Sequence, residues 1–185
     1  MAHFNNFKIG KTMAEITLYS LSDYNEGNLI PKTFDLDDYS DHGEYLQAIS
    51  EWLQEVDKEL GTDMYIPQRE EWIVADAEDI PSRFVGEYDL DSEFWTYKEI
   101  LNSTHVPAEA IEAWVNYGHD LDQDAIEECY VGEHPNDEDF VQGMLEDCGD
   151  IPKDLPFYIA IDWEITARNV MQDYFTGDGY YFRIH

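Results

Sequence analysis

Apolar and polar positions from Glu15 onward change period several times, and each change marks an element. Ile16, Leu18 and Leu21, with Thr17 and Tyr19 between them, predict a first strand. Asp23-Tyr24-Asn25-Glu26-Gly27-Asn28 predicts a turn, because Asn25, Gly27 and Asn28 tolerate unusual backbone angles. Residues 29–36 return as a second strand. Over residues 41–60 the period lengthens: Tyr45, Leu46, Ile49, Trp52, Leu53, Val56 and Leu60 recur at three- and four-residue spacing, which defines one apolar face of a helix closed by Gly61. Residues 71–77 then predict a third strand, completing a ββαβ unit.

The middle of the chain reads as helical. Ser92 can cap a short helix through Ile100, and Pro107 suits the first turn of another that ends at Gly118, with Ile111, Trp114 and Val115 on one face. A third short helix covers residues 122–128. The last part is mixed. Residues 129–131 suggest a short strand. Asn136 caps a helix whose buried face is Phe140, Val141, Met144, Leu145 and Cys148 and whose end is Gly149. A further helix is expected over most of residues 157–174, and Gly177-Asp178-Gly179 turns into a closing strand at 180–184. The fold class is therefore α+β, elongated, with three small modules in a row: a sheet plus helix over residues 15–82, a helical bundle over 83–128 and an α+β module over 129–185. Residues 1–14, with Lys8 and Lys11 and no acid, stand apart as an extension.

Charge changes this picture most. The chain has 42 acidic residues against ten basic ones, a formal net charge of −32 on 185 residues. Self-repulsion on that scale costs stability. Disorder is not the explanation, because five Trp, thirteen Tyr, nine Phe and 43% hydrophobic residues are enough to build a core. Phosphate neutralisation, and with it direct nucleic-acid binding, is excluded, and an anionic membrane surface would repel the chain. No apolar run approaches the ~20 residues of a membrane span. The N-terminus has no signal-peptide pattern. Cys129 and Cys148 are too few for a disulfide framework and read as small buried hydrophobes on a cytoplasmic background.

The acids recur in runs without compensating cations. On the helix over 41–60, Glu44, Glu51, Glu55 and Glu59 fall within about 80° of arc opposite the apolar face. Glu51, Glu55 and Glu59 are successive i,i+4 like-charge pairs, each destabilising by about 0.2–0.5 kcal/mol. Further runs hold Asp35, Asp37 and Asp38; Asp76, Glu78 and Asp79; Glu87, Asp89 and Asp91; Asp120, Asp122, Asp124, Glu127 and Glu128; and Asp137, Glu138 and Asp139. A DNA duplex carries one negative charge per about 1.7 Å of axis, so 32 charges correspond to about 54 Å of duplex. These carboxylates are thus candidate phosphate mimics that face a basic, DNA-reading protein.

Catalysis and metal binding find no comparable signal. Asp120, Asp122 and Asp124 begin like a calcium loop, but Ala125 stands where that loop needs Gly and Val131 where it needs Glu. Cys129, His134 and Cys148 lack zinc-site spacing, and no phosphate loop or nucleophile elbow is present. No cofactor, metal or catalytic residue is expected. Tyr24 and Trp72 read as core, and Arg168 and Arg183 as members of structural ion pairs.

Several short motifs, in order, carry a family resemblance. Asp23-Tyr24-Asn25-Glu26-Gly27, Glu71-Trp72-Ile73-Val74-Ala75-Asp76, Tyr130-Val131-Gly132-Glu133, residues 158–164 with Ala167-Arg168-Asn169, and the terminal Gly179-Tyr180-Tyr181-Phe182-Arg183 resemble the ArdA antirestriction proteins. The likeness covers about residues 15–185. Asn169 stands where the motif is expected to hold Asp. The resemblance implies a protein of a mobile element or phage, acting in the bacterial cytoplasm. It further implies a homodimer shaped like bent B-form DNA that inhibits type I restriction–modification enzymes by occupying the DNA-binding site of their specificity and methyltransferase core. Two other classes also fit the acidity: a sequestering factor or chaperone for another basic DNA-binding protein, and a salt-adapted enzyme whose acids keep it soluble.

Overall fold

A computed structural model describes residues 14–152 and 154–184. The expected extension over residues 1–14 lies outside them except for Ala14, which is buried and whose carbonyl accepts from the Leu36 N–H. The chain is mixed α+β and divides into two compact units, one running through Thr96 and the other from Tyr97. The division falls inside a helix within the segment 83–128.

In the N-terminal unit, strand β1 (Glu15–Ser20) alternates half-buried and buried positions, so Ile16, Leu18 and Ser20 point inward. It is the middle strand of an antiparallel sheet, flanked by β2 (Pro31–Asp35) and β3 (Trp72–Glu78). Between β1 and β2 the expected turn contains a five-residue helix, α1 (Leu21–Asn25), capped by the Ser20 hydroxyl. Leu21 therefore leaves the strand, and its N–H donates to the Glu71 carbonyl. Helix α2 (His42–Leu60) matches the sequence expectation closely. Asp41 caps it through the Glu44 N–H at 2.9 Å, Glu44 reaches back to the Ser40 N–H at 2.8 Å, and Gly61 ends it at φ 76°. Tyr45, Ile49, Trp52, Leu53 and Val56 are buried, and Phe34 meets Tyr45 and Trp52 edge-on at 5.8 and 5.9 Å. Leu60, assigned to the same face, is exposed.

Helix α3 (Glu93–Ser103) crosses the division. The second unit continues with α4 (Ala108–Asn116), α5 (Gln123–Cys129), β4 (Tyr130–Glu133), α6 (Asp137–Cys148), α7 (Trp163–Val170), β5 (Tyr174–Gly177) and β6 (Tyr180–Arg183). Its sheet is antiparallel in the order β4-β6-β5. Successive residues of β6 face opposite layers. Phe182 stacks on Phe175 at 4.9 Å and meets Trp114 of α4 at 5.4 Å, whereas Tyr181 packs on Phe140 of α6 at 4.5 Å. Phe140, Val141, Ala167 and Tyr181 form one buried cluster, bordered by Met144, Leu145 and Val170. The β5–β6 hairpin has a two-residue loop with both residues at positive φ, Asp178 at 52° and Gly179 at 87°, as a type I′ turn requires.

Two expectations change here. The helix expected over 157–174 is confined to α7, because Asp162 supplies its N-cap and residues 156–159 are taken up by a turn closed from the Ile159 N–H to the Pro156 carbonyl. Its tail becomes a 3-10 turn (Met171–Asp173) and then strand β5. Cys129 is buried as expected, but Cys148, at the last turn of α6, is exposed.

Candidate functional site

The helical period of α2 fixes the first part of the acidic surface. Burying Tyr45, Ile49, Trp52, Leu53 and Val56 turns Glu44, Glu51, Glu55 and Glu59 outward, and all four are exposed. Successive members of the Glu51–Glu55–Glu59 row rise about 6 Å along the axis. The amide of Gln47 donates to Glu51 at 2.8 Å, and Lys58 is the one cation in the last turn.

Strand register builds a second row. Glu15 of β1 lies directly opposite Asp35 on β2 and Glu78 on β3, so three carboxylates cross the sheet side by side. Neighbouring strands are about 4.8 Å apart, and like charges in such positions destabilise a sheet. Glu15 was not among the sequence-derived candidates. Only the register reveals it, since its nearest acid in sequence is Asp23. Asp76, one step further, faces Thr17, whose hydroxyl bonds to that of Thr33 at 2.8 Å.

Of the 21 candidate carboxylates, sixteen are exposed and five are half-buried: Asp35, Asp37, Glu127, Asp137 and Glu138. None is buried. Several also serve the local fold. Asp35 accepts from the Asp37 N–H, Asp76 from Ala77, Asp89 from Leu90 and Asp91 from Glu93. Asp89 also sits 3.7 Å from His42. Asp122 caps α5 by accepting from the N–H groups of Asp124 and Ala125, which commits an oxygen a calcium loop would need. The amide of Gln123 donates to Glu127 at 2.9 Å and is the main reason its carboxyl is held below the usual range. Asp137 and Glu138 in the first turn of α6 border a groove of about 370 Å³ with Glu164 and Arg168. Asp137 accepts from the Tyr181 hydroxyl at 2.8 Å. Burial first, and then that carboxylate, push the phenol up to about 12. Asp38, Asp79, Glu87, Asp120, Asp124, Glu128 and Asp139 stand exposed on turns and helix ends.

Of the two cations expected in structural ion pairs, Arg168 is found in one. Arg168 pairs with Glu164 at 2.9 Å on the surface of α7, and Arg183 lies over the Tyr174 ring at 5.9 Å. The cation that matters most to the fold, Arg69, had no sequence signal. It is buried between Asp23 and Asp57, donating to Asp23 at 2.6 and 2.9 Å, to Asp57 at 2.7 Å and to the Gly61 carbonyl at 3.1 Å. The guanidinium holds the Asp23 carboxyl below the usual carboxylate range. Tyr24 is exposed and stacks on Tyr19 at 6.1 Å, and Trp72 is half-buried, so neither is a core residue.

Among the described residues no three His, Cys, Asp or Glu side chains converge as a metal site, and no helix is long and apolar enough to cross a membrane. A family model described as "Antirestriction protein (ArdA)" matches residues 18–182. No curated protein and no solved structure matches the chain. The matched span includes β2 and β3, the α2 row and all but the first residues of the N-terminal sheet, and it runs to Phe182 in the closing strand. By that match, which takes in nearly the whole sequence, the chain belongs to the ArdA family of antirestriction proteins.

Proposed function

We propose that this protein is a non-enzymatic DNA mimic, acting as a homodimer in the bacterial cytoplasm, that inhibits type I restriction–modification enzymes. Its carboxylates occupy the positions that backbone phosphates take in the enzyme's DNA-binding cleft. The observation that carries the reading is that none of the 21 candidate carboxylates is buried, in a chain with ten basic residues to offset 42 acidic ones. The rows on α2 and across the N-terminal sheet set like charges about 5–6 Å apart, an arrangement that costs the isolated fold stability. A cationic cleft turns that cost into binding energy and steers association. A single row at that spacing is sparser than a duplex, with one charge per about 1.7 Å, so the mimic needs several rows together.

Displacement of a labelled target duplex from a purified type I methyltransferase core, followed by fluorescence anisotropy, tests the reading. Displacement at low salt is expected, weakening at least tenfold between about 50 and 200 mM salt. Absence of displacement at the lower salt refutes it and favours a different basic target.

A further inference from the structure

We propose that the outer face of the N-terminal sheet is a contact surface for arginine side chains of a basic protein, with carboxylates at one end and tyrosines at the other. The inference rests on the reading of this chain as a ligand for a cationic cleft, and it gives that contact a second chemistry besides phosphate imitation. The inner face of the sheet carries Ile16, Leu18 and Phe34, all buried, and Phe34 meets two rings of α2. Strand alternation turns Glu15, Thr17 and Tyr19 to the other side. Register sets Asp35 and Glu78 beside Glu15, and Pro31 and Ile73 beside Tyr19. None of these outward positions is buried. Four residues of extended chain, about 13 Å, separate the carboxylate row from Tyr19. Tyr24 of α1 stacks on Tyr19 with the ring planes 21° apart and is 45% exposed. Tyr88, 51% exposed, lies near enough to Tyr24 for the two phenols to interact, and its hydrogen bond to Glu87 is the main cause that pushes its phenol up. The Glu87 carbonyl accepts from the Val74 N–H at 2.8 Å, which ties this segment to the free edge of β3.

Three features select a guanidinium as the occupant. The first is charge. The Asp35–Glu15–Glu78 row repels a second copy of this −32 chain and repels nucleic acid, and it attracts a cation. The second is the placing of the rings. A lattice of phosphates is imitated by carboxylates alone, and the core does not take up Tyr24 or Tyr88, each about half exposed. Exposed tyrosines inside an acidic surface are anchors of the kind that carry binding energy at protein interfaces. The third is the chemistry of the cation. A guanidinium is planar and weakly hydrated, so it stacks on a ring while its fork donates to a neighbouring carboxylate, here Glu87 beside Tyr88. A lysine ammonium is compact and strongly hydrated, and it gains less from the same site.

Titration of the full chain, carrying ring-labelled tyrosine, with hexa-arginine and separately with hexa-lysine at low salt tests the inference by NMR without any enzyme. The two peptides carry equal charge, so a difference between them reports the side chain and not the charge. The ring signals of Tyr24 and Tyr88, assigned with Tyr24→Phe and Tyr88→Phe, are expected to move clearly with hexa-arginine and much less with hexa-lysine at matched saturation. Tyr24→Leu is expected to weaken hexa-arginine binding by roughly two- to fivefold, the range of an exposed cation–π contact, and to leave hexa-lysine binding unchanged. Glu15→Gln is expected to weaken both peptides alike. Equal movement with the two peptides, no movement at Tyr24 and Tyr88, or an equal loss of both peptides in Tyr24→Leu overturns the inference. Those outcomes leave the DNA-competition result standing on charge alone, and failure of that competition leaves an arginine-selective response of the tyrosines standing.

Discussion

Replacing Arg69 by Met should destabilise this protein more than replacing any surface arginine. Arg69 and Asp23 each have side chains 1% exposed, and Asp57 is 15% exposed. Arg69 joins α1, the last turns of α2 and the chain entering β3, with partners 46 and 12 residues away. Methionine fills much of the volume but leaves the Asp23 carboxylate buried without a cation. Stranding one member of a buried pair costs about 3–5 kcal/mol, whereas a surface pair is worth about 0–1 kcal/mol. Arg168→Met, which breaks the exposed pair with Glu164, is the matched control. Urea denaturation followed by circular dichroism should move the midpoint clearly for the first variant and hardly at all for the second. Equal midpoints for the two, or a loss under about 1 kcal/mol for Arg69→Met, would refute the reasoning.

The pH dependence of that difference has a definite sign. Hydrogen bonds from Arg69 depress the folded pKa of Asp23. Its contribution is therefore fully present above the unfolded value near 4 and is lost as pH falls through the folded value. The gap between wild type and Arg69→Met should be widest at neutral pH and should close below about pH 4.

Two other perturbations separate the fold from its charge. Converting Glu51, Glu55 and Glu59 together to Gln removes two i,i+4 like-charge pairs, which should stabilise α2 by about 0.4–1 kcal/mol in thermal melts while weakening displacement of duplex at low salt. Gly179→Ala forces a side chain into φ 87°, where its Cβ meets the His134 carbonyl at 3.4 Å, and should cost about 1–2 kcal/mol without changing sedimentation.

Where a signal was local, it was readable. The apolar period of α2, the caps at Gly61, Asn136 and Gly149 and the closing hairpin all depend on residues within a few positions of one another. What escaped depends on partners far along the chain or on very short elements. Helix α1 is five residues long, too short to show a period, and its Asn and Gly read as turn. Strand β5 has four residues following a helical pattern. Arg69 sits in an irregular stretch, and only the folded chain brings Asp23 to it. Glu15 joins the candidate surface solely through strand register. Tyr24 and Cys148 suit a core by residue type, yet the ends of α1 and α6 turn them outward.

The acids divide by what they do for the chain. Asp41, Asp122 and Asp162 cap helices, Asp23 and Asp57 hold Arg69, and Glu93 pairs with Arg83, so the fold itself accounts for each of them. The rows Glu51–Glu55–Glu59 and Asp35–Glu15–Glu78 set like charges side by side, and beyond the Asp35 bond to the Asp37 N–H folding alone gives no reason for that. Salt acts on these rows in two opposing ways. At about 0.15 M the screening length, ~8 Å, exceeds the row spacing and neighbours repel; at 1 M, ~3 Å, they do not. Added salt should therefore stabilise the free protein while weakening its hold on a cationic cleft. A chain whose acids served only solubility would show the first effect without the second, so opposite responses of stability and binding to the same salt are what distinguish carboxylates arranged for a partner.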